Sequence, residues 1–582
     1  MMSYIYSIFG HFTKWWHKVA FFSKATIFIS GLVAVNGLIE YALLATLITS
    51  LTTDWTAATL PTAAITVNVY EGLTSLLVIV VAQLSESCFG NFKVILFTNV
   101  AFILGLGMLW SAVKYQNVIV LFVALVPITI GKAGRDDTMK AFLADQLCKV
   151  SSREDKEPNL RRDEELPQTG GKIMMQQKHH GRKEDEDVIE IRRKFYWRVS
   201  WIVGIIPATV WLSNEDWLTI VKISTIAMIG GFCVFLCGIP FYVRRKPSPS
   251  PLRYIFQVVK VALSKRHLDY PVSPSQLFKN YTSDTEILPH IAFLRWLDKA
   301  AILEASPPCP VSTTTREQLA ETAGGRVCEV AKVKDVKRLI SMFPLWSTFY
   351  VSSLVGATAD TFFYEQADIM TSSVPLPVFV IIMTFTSSIT SIICSWLKNR
   401  TKNVRRPPLY RIRLGMLCSV LCCVAAWLVE VRRRNHRKKQ KHEISVFWLT
   451  PQFFLVGLMQ GLSESGLQDF FETQVCESMK GYGSQFNEFA RGIGKLFTAV
   501  CILIFIFWFG KEVDSSDLDK YYAMLLIPTI LNFCFCYLVS KWYANLPHDQ
   551  KLEDVTNENS SSDTDVTNEN SSSDTAQKLE DV

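Results

Sequence analysis

Charge is in short supply in this chain. Asp, Glu, Lys and Arg make up 19% of its 582 residues against 49% hydrophobic residues, a balance that excludes an ordinary soluble protein. The chain also lacks a glycine-rich phosphate loop, a Cys or His set at metal-ligand spacing and a nucleophile placed beside a base. Neither an enzyme nor a metal or organic cofactor is therefore expected. Its 14 cysteines are scattered, with Cys418, Cys422, Cys423, Cys534 and Cys536 inside apolar runs as small core residues. His179 and His180 stand in a polar loop and are read as solvated. Residues 1–23 are aromatic and basic without a continuous apolar core or a small-residue cleavage site, which argues against a cleavable signal peptide. The net charge of +7 is concentrated in loops, where it bears on membrane topology and gives no reason to expect nucleic acid as a partner.

Apolar runs are what the chain has in abundance. At about 20 residues per span, twelve lie near residues 25–51, 65–85, 93–113, 118–147, 195–213, 217–243, 341–364, 375–397, 409–431, 445–471, 487–510 and 519–543. The expected fold is an all-α membrane protein with twelve transmembrane helices in two six-helix bundles, the arrangement of a two-half secondary transporter. The corresponding domains are an N-terminal segment 1–24, a first bundle 25–243 with a polar insertion 148–193, a linker 244–340, a second bundle 341–545 and a tail 546–582.

Lys and Arg near the spans set orientation. Lys14, Lys18, Lys24, Arg244, Arg245, Lys246, Lys398, Arg400, Lys402, Arg405 and Arg406 fall on one side if twelve spans are counted, which places both termini in the cytoplasm. The stretch 431–443, VRRRNHRKKQKHE, disagrees: it is the most basic loop and falls outside. Within the linker, residues 251–266 carry Ile255, Val258, Val259 and Ala262 at helical spacing with basic flanks. An amphipathic helix is expected there, either on the membrane surface or packed against the bundle. The tail repeats DVTNENSSSDT at 554–564 and 565–575; with no apolar face it is read as disordered, a spacer or a contact for cytoplasmic partners.

The most informative stretch is 131–147, GKAGRDDTMKAFLADQL, which closes an apolar run yet carries Lys132, Arg135, Asp136, Asp137 and Lys140. Charges at membrane depth mark a functional site by default, the alternative being a helix end whose side chains snorkel to the headgroups.

Several segments resemble the plant nitrate/peptide transporter family, relatives of the proton-dependent oligopeptide transporters within the major facilitator superfamily. AFLADQL at 141–147 is similar to the family's AFGADQF, and LRWLDKAAI at 294–302 to its FRFLDKAAI. Further similar segments lie at 327–346, 444–458, 476–484 and 517–533, in the family's order. The resemblance implies the major facilitator fold and alternating-access transport of nitrate, a peptide or another small metabolite, in the plasma membrane or the vacuolar membrane. It also exposes departures. Where the family's first span carries E-x-x-E-R, this chain has Val33, Asn36 and Gly37; the fourth-span Lys-Pro falls on Asp136 and Asp137; the tenth-span Glu is Gln460. The D-x-x-x-G-R gating motif appears as Glu86 to Asn91, keeping an acid and Gly90 and losing the Arg.

The substrate and coupling candidates that remain are Glu40, Arg135, Asp136, Asp360, Gln460, Glu464 and Lys495, with Glu86 and Gly90 as gating candidates. Lys495, in GIGKLF, calls for a carboxylate partner, with Glu464 and Asp136 the choices, and Asp136 and Lys140 are spaced to pair on one helical face. Asp469 is read as structural, Trp346, Phe349 and Tyr350 as a packing stripe, and residues 364–366 as the cavity mouth. The expected function is a secondary transporter without the usual proton-coupling cluster, with the bilayer and a small solute as partners. The alternative is a transport-inactive receptor or scaffold.

Overall fold

The computed structural model describes residues 23–44, 47–53, 55, 59–154, 171–212, 215–245, 251–279, 286–289, 291–303, 327–370, 377–398, 406–439, 444–475 and 477–545. The N-terminal segment, the middle of the insertion and the repeat tail lie outside the described residues.

Among the described residues, ten helices are long and apolar enough to cross a membrane: Lys24–Thr53, Leu60–Phe89, Asn91–Tyr115, Val118–Cys148, Trp217–Cys237, Val330–Asp368, Val378–Ser395, Pro407–Lys438, Val446–Gln474 and Leu518–Asn545. The fifth and eleventh places are filled by Gly171–Val210 and Gly483–Ile504. Their apolar runs are diluted by Arg193, Lys194 and Arg198 in one and by Glu488, Arg491 and Lys495 in the other. The fifth helix begins at Gly171, well inside the stretch read as a polar insertion, and the fourth continues to Glu154. Hydropathy marks only the part of a helix that lipid touches, so a helix continuing past that run leaves no apolar signal.

The helices pack as two groups. In the first half, the first span lies against the fifth and sixth, and the third against the fourth and sixth; in the second half, the ninth and eighth lie against the tenth, and the seventh against the eleventh and twelfth. The long contact between halves is the second span on the eleventh. Gly72 faces Gly492 there, and a Cβ on Gly492 would stand 2.8 Å from the Gly72 carbonyl oxygen, so the backbones meet only because neither residue has a side chain. One end of the interface is closed by Thr52 Oγ1 donating to Glu365 Oε2 at 2.9 Å and by the Leu60 amide donating to the Lys511 carbonyl at 3.0 Å.

Among the described residues, three spans contain a single π-helical turn: Glu40–Leu44 in the first, Ser85–Phe89 in the second and Ala359–Phe363 in the seventh. Such turns widen the helix locally, re-aim its side chains and occur often at functional sites. All three contain a carboxylate: Glu40, Glu86 and Asp360.

Residues 431–438 of the basic stretch that disagreed with the orientation continue the ninth span, whose helix runs Arg406–Lys438, and residues 440–443 lie outside the described residues. Arg433 pairs with Glu430 at 2.7 Å and Asp514 at 2.6 Å, Arg434 with Asp517 at 2.7 Å and with Asp519, and Arg437 with Asp514. These arginines are held by the acidic loop before the twelfth span and by the first turn of that span.

The linker is a packed unit. Helix Pro251–Ser264 buries Val258, Val261 and Ala262 against the 3-10 segment Ala292–Ala301 and helix Val330–Ser341, while Tyr254 and Ile255 reach the core of the second bundle. Phe256 and Leu263 stay exposed on its outer face. Of the two placements expected for this helix, the apolar stripe serves packing, chiefly against the linker's own segments. At the centre, Lys337 Nζ lies 2.7 Å from Asp298 Oδ1 with both side chains almost fully buried, and Lys337 also donates to the Ile287 carbonyl. Burial pushes the Asp298 carboxyl above its usual range, although Lys337 beside it works the other way.

Breaking a buried pair costs about 3–5 kcal/mol because one charge is stranded, whereas replacing both members with apolar residues is often neutral. Lys337→Met is expected to lower the melting temperature of the detergent-purified protein by several degrees, and Asp298→Leu added to it to recover most of the loss. Equal melting curves for all three proteins would mean that the linker is a mere tether.

Candidate functional site

A cavity of about 330 Å³ lies between the bundles. Its lining is unusually ionic for membrane depth: six carboxylates, Glu40, Glu71, Asp136, Asp137, Asp360 and Glu488, and five cations, Lys132, Arg135, Lys140, Arg491 and Lys495.

The fourth span supplies most of the cations because its helix breaks. Helix Val118–Ala133 ends at a turn through Gly134 and Arg135, and a new helix starts at Asp136. Gly134 is required at that break, since a Cβ there would lie 2.2 Å from Thr98 Cγ2. The turn buries Arg135, whose side chain is 2% exposed and lies over the rings of Phe102 and Trp201. Its Nη2 donates to Glu40 Oε2 at 2.7 Å and its Nε to Asp136 Oδ1 at 3.0 Å. Lys132, one turn earlier, lies 2.8 Å from the other Glu40 oxygen and 3.5 Å from Glu71 Oε1.

Glu71 connects the halves. It stands next to Gly72 at the close crossing with the eleventh span and accepts a hydrogen bond from Lys495, whose Nζ is also 3.7 Å from Asp360 Oδ2. The result is one continuous relay, Asp136–Arg135–Glu40–Lys132–Glu71–Lys495–Asp360, from the fourth span to the seventh. Alternating signs make it self-compensating, which is how such groups are tolerated away from water.

The structure brings Glu40, Arg135, Asp136, Asp360, Gln460 and Lys495 together in the cavity lining. Glu464 lies in a side pocket of about 50 Å³ that shares Asp360, Gln460, Arg491 and Lys495 with it. Two expected pairings are corrected. Lys495 is paired with Glu71, not with Glu464 or Asp136; Arg491, one turn earlier, takes Glu464 together with Glu488. Lys140 pairs with Asp137 at 3.3 Å, not with Asp136, because the turn places Arg135 on Asp136. Sequence reasoning missed Glu71 as a candidate and left Lys132 among the general charges. The signal for Glu71 was available: it is the lone charge in the apolar run of the second span, ITVNVYEGLTSLLVIVV.

Glu86 and Gly90 lie at the other end of the second span. Glu86 accepts from Tyr482 OH in the second half of the chain, a contact between bundles. Gly90 has φ +82°, where a side chain would be strained, and starts the third span. Asn91, where the gating motif has its Arg, accepts from Ser85 Oγ at 2.6 Å and donates to Asp145 Oδ2 at 3.2 Å. Arg245 at the head of the linker supplies the cation, 3.0 Å from Asp145. Asp469 pairs with Arg411, and Trp346 stacks on Phe486 at 5.1 Å between centroids, so both serve the packing of the second bundle. Gln366 donates to the fully buried Glu430 behind the cavity wall, and Tyr364 lines the cavity itself.

A sequence profile described as the POT family matches residues 24–509. Among curated proteins, the chain is 29% identical to protein NRT1/PTR FAMILY 5.6 of Arabidopsis thaliana, covering 89% of this chain and 90% of that one. It is 27% identical to protein NRT1/PTR FAMILY 5.7 of the same plant, covering 89% and 88%. Among solved structures, the fold is similar to that of an auto-inhibited POT family peptide transporter, with a TM-score of 0.59, 14% identity, and coverage of 90% of this chain and 98% of that one. It is also similar to the POT family transporter PepTSo, with a TM-score of 0.55, 13% identity, and coverage of 90% and 97%.

The relay predicts strong coupling between Glu71 and Lys495. Either single change, Glu71→Gln or Lys495→Met, strands a charge, while the double change removes both. A thermal double-mutant cycle on purified protein is expected to give a coupling of about 1–3 kcal/mol; additive losses would show that the two residues do not act as a pair.

Proposed function

The chain belongs to the POT family, and from that premise we propose how it works. It is a multi-pass membrane protein and a secondary transporter of small solutes. In our reading both termini face the cytoplasm, the membrane is the plasma membrane or the vacuolar membrane, and the contacts of Thr52 with Glu365 and of Leu60 with Lys511 seal the outer end. The solute binds in the ionic cavity, and the halves move relative to one another along the contact of the second and eleventh spans.

The relay is the observation that carries this reading. Val33, Asn36 and Gly37 leave the first span without the family's coupling acids, while Glu71 stands where a movement between halves would separate it from Lys495. A carboxylate beside a cation stays ionised, and one left alone in a poorly hydrated cavity takes up a proton. Opening the Glu71–Lys495 contact is thus a way to bind a proton in one conformation and release it in the other. The solved structure similar in fold is described as a peptide transporter, and the substrate of this chain belongs to the same size class.

Reconstituted into proteoliposomes, the protein is expected to move solute faster, by several-fold, under an inward proton gradient. Glu71→Gln should remove that dependence and leave exchange without a gradient intact. Gradient-dependent flux that survives Glu71→Gln would put the coupling elsewhere. No movement of any solute by correctly inserted protein would favour the receptor or scaffold reading.

A further inference from the structure

Resting on the reading of the chain as a solute carrier, we propose that its solute carries an ammonium group and that Asp360 receives it. Every cation in the cavity already has a carboxylate: Lys132 and Arg135 hold Glu40, Lys140 holds Asp137, Arg491 holds Glu464 and Glu488, and Lys495 holds Glu71. An anion would have to detach one of these pairs in a poorly hydrated place and leave an acid stranded. The spare Nη1 of Arg135 is fully buried, in a side chain that lies over the rings of Phe102 and Trp201 and already holds Glu40 and Asp136.

Asp360 is different. Among the described residues it is the one cavity carboxylate without a hydrogen bond. Its only ion pair is at 3.7 Å, to a lysine that is committed to Glu71, and its side chain is 26% exposed. The π-turn Ala359–Phe363 presents it where the main cavity meets the side pocket. An ammonium arriving there gains a charge-assisted hydrogen bond and competes only with the 3.7 Å contact of Lys495, which keeps its hydrogen bond to Glu71. The formal charge agrees, since six carboxylates line the main cavity against five cations. Gln460, beside Asp360 in both pockets, adds polarity without charge. A volume of about 330 Å³ stands at the lower end of the ~300–1,000 Å³ typical of small-molecule sites. A compact amine suits that space.

The test uses full-length protein. Thermal shift in detergent is measured with putrescine and tyramine as ammonium probes and with sodium nitrate and sodium succinate as anions, at matched ionic strength; counterflow in proteoliposomes follows with the same compounds. At least one amine is expected to stabilise the protein and the anions to have no effect. Asp360→Asn should weaken amine binding about tenfold or more, the loss of one charged hydrogen bond, and Asp360→Glu should retain most of it. Gly356→Leu leaves every charge in place. A Cβ at Gly356 would already stand 3.9 Å from Gln460 Nε2, so the longer side chain obstructs the side pocket and should weaken amine binding in the same way even if Asp360→Asn does not fold. Stabilisation by nitrate or succinate alone, no response to either amine, or amine binding unchanged in folded Asp360→Asn or, where that variant does not fold, in Gly356→Leu overturns the proposal. Amine binding through Asp360 without counterflow would preserve the site and overturn the carrier reading; counterflow of an anion alone would do the reverse.

Discussion

A charge inside a bilayer has to be answered by another charge, and most of the polar architecture of this protein follows from that constraint. Five cations approach the cavity, and each has a carboxylate within ion-pair distance. The helix break at Gly134 makes this possible by folding Arg135 back onto Glu40 in place of pointing it along the helix axis. The pairs are strung together: Glu40 and Glu71 each bridge two cations, so removing one group disturbs its neighbours on both sides.

The relay and the packing between halves are one feature. Glu71 is adjacent to Gly72, and Lys495 is one turn beyond Gly492, so the glycine crossing brings together the helix segments that carry the two charges. A bulkier residue at either glycine would separate the backbones and lengthen the ion pair in the same step. The close helix contact and the electrostatic link therefore lie side by side, so a movement of the halves that opened one would also open the other.

Much of the fold was legible in the sequence because bilayer thickness and apolar run length are tied together: helices occur at all twelve expected places. What hydropathy missed was helix beyond the lipid-facing run, as at Gly171–Val210. The candidate site was legible in part. Charges in apolar runs identified Glu40, Asp360 and Lys495, but partners come from spans far apart in the chain, and no spacing rule could assign Lys495 to Glu71. The π-turns at Glu40 and Asp360 were also out of reach, since one extra residue in a helical turn leaves no apolar period to read.

The basic end of the ninth span illustrates the same limit from the other direction. Read as free charge, Arg433, Arg434 and Arg437 argue against placing that loop outside; in the fold they are bound to Asp514, Asp517 and Asp519 and clamp two distant segments together. Arginine suits that task because its planar fork holds two acceptors at once, as Arg433 does with Glu430 and Asp514. The clamp sits close to the seventh span, since Glu430 also accepts from Gln366, and the seventh span carries Asp360 in its π-turn less than two turns away. That end of the second bundle is thereby tied through Glu430 and Gln366 to the helix whose widened turn presents Asp360 to the cavity.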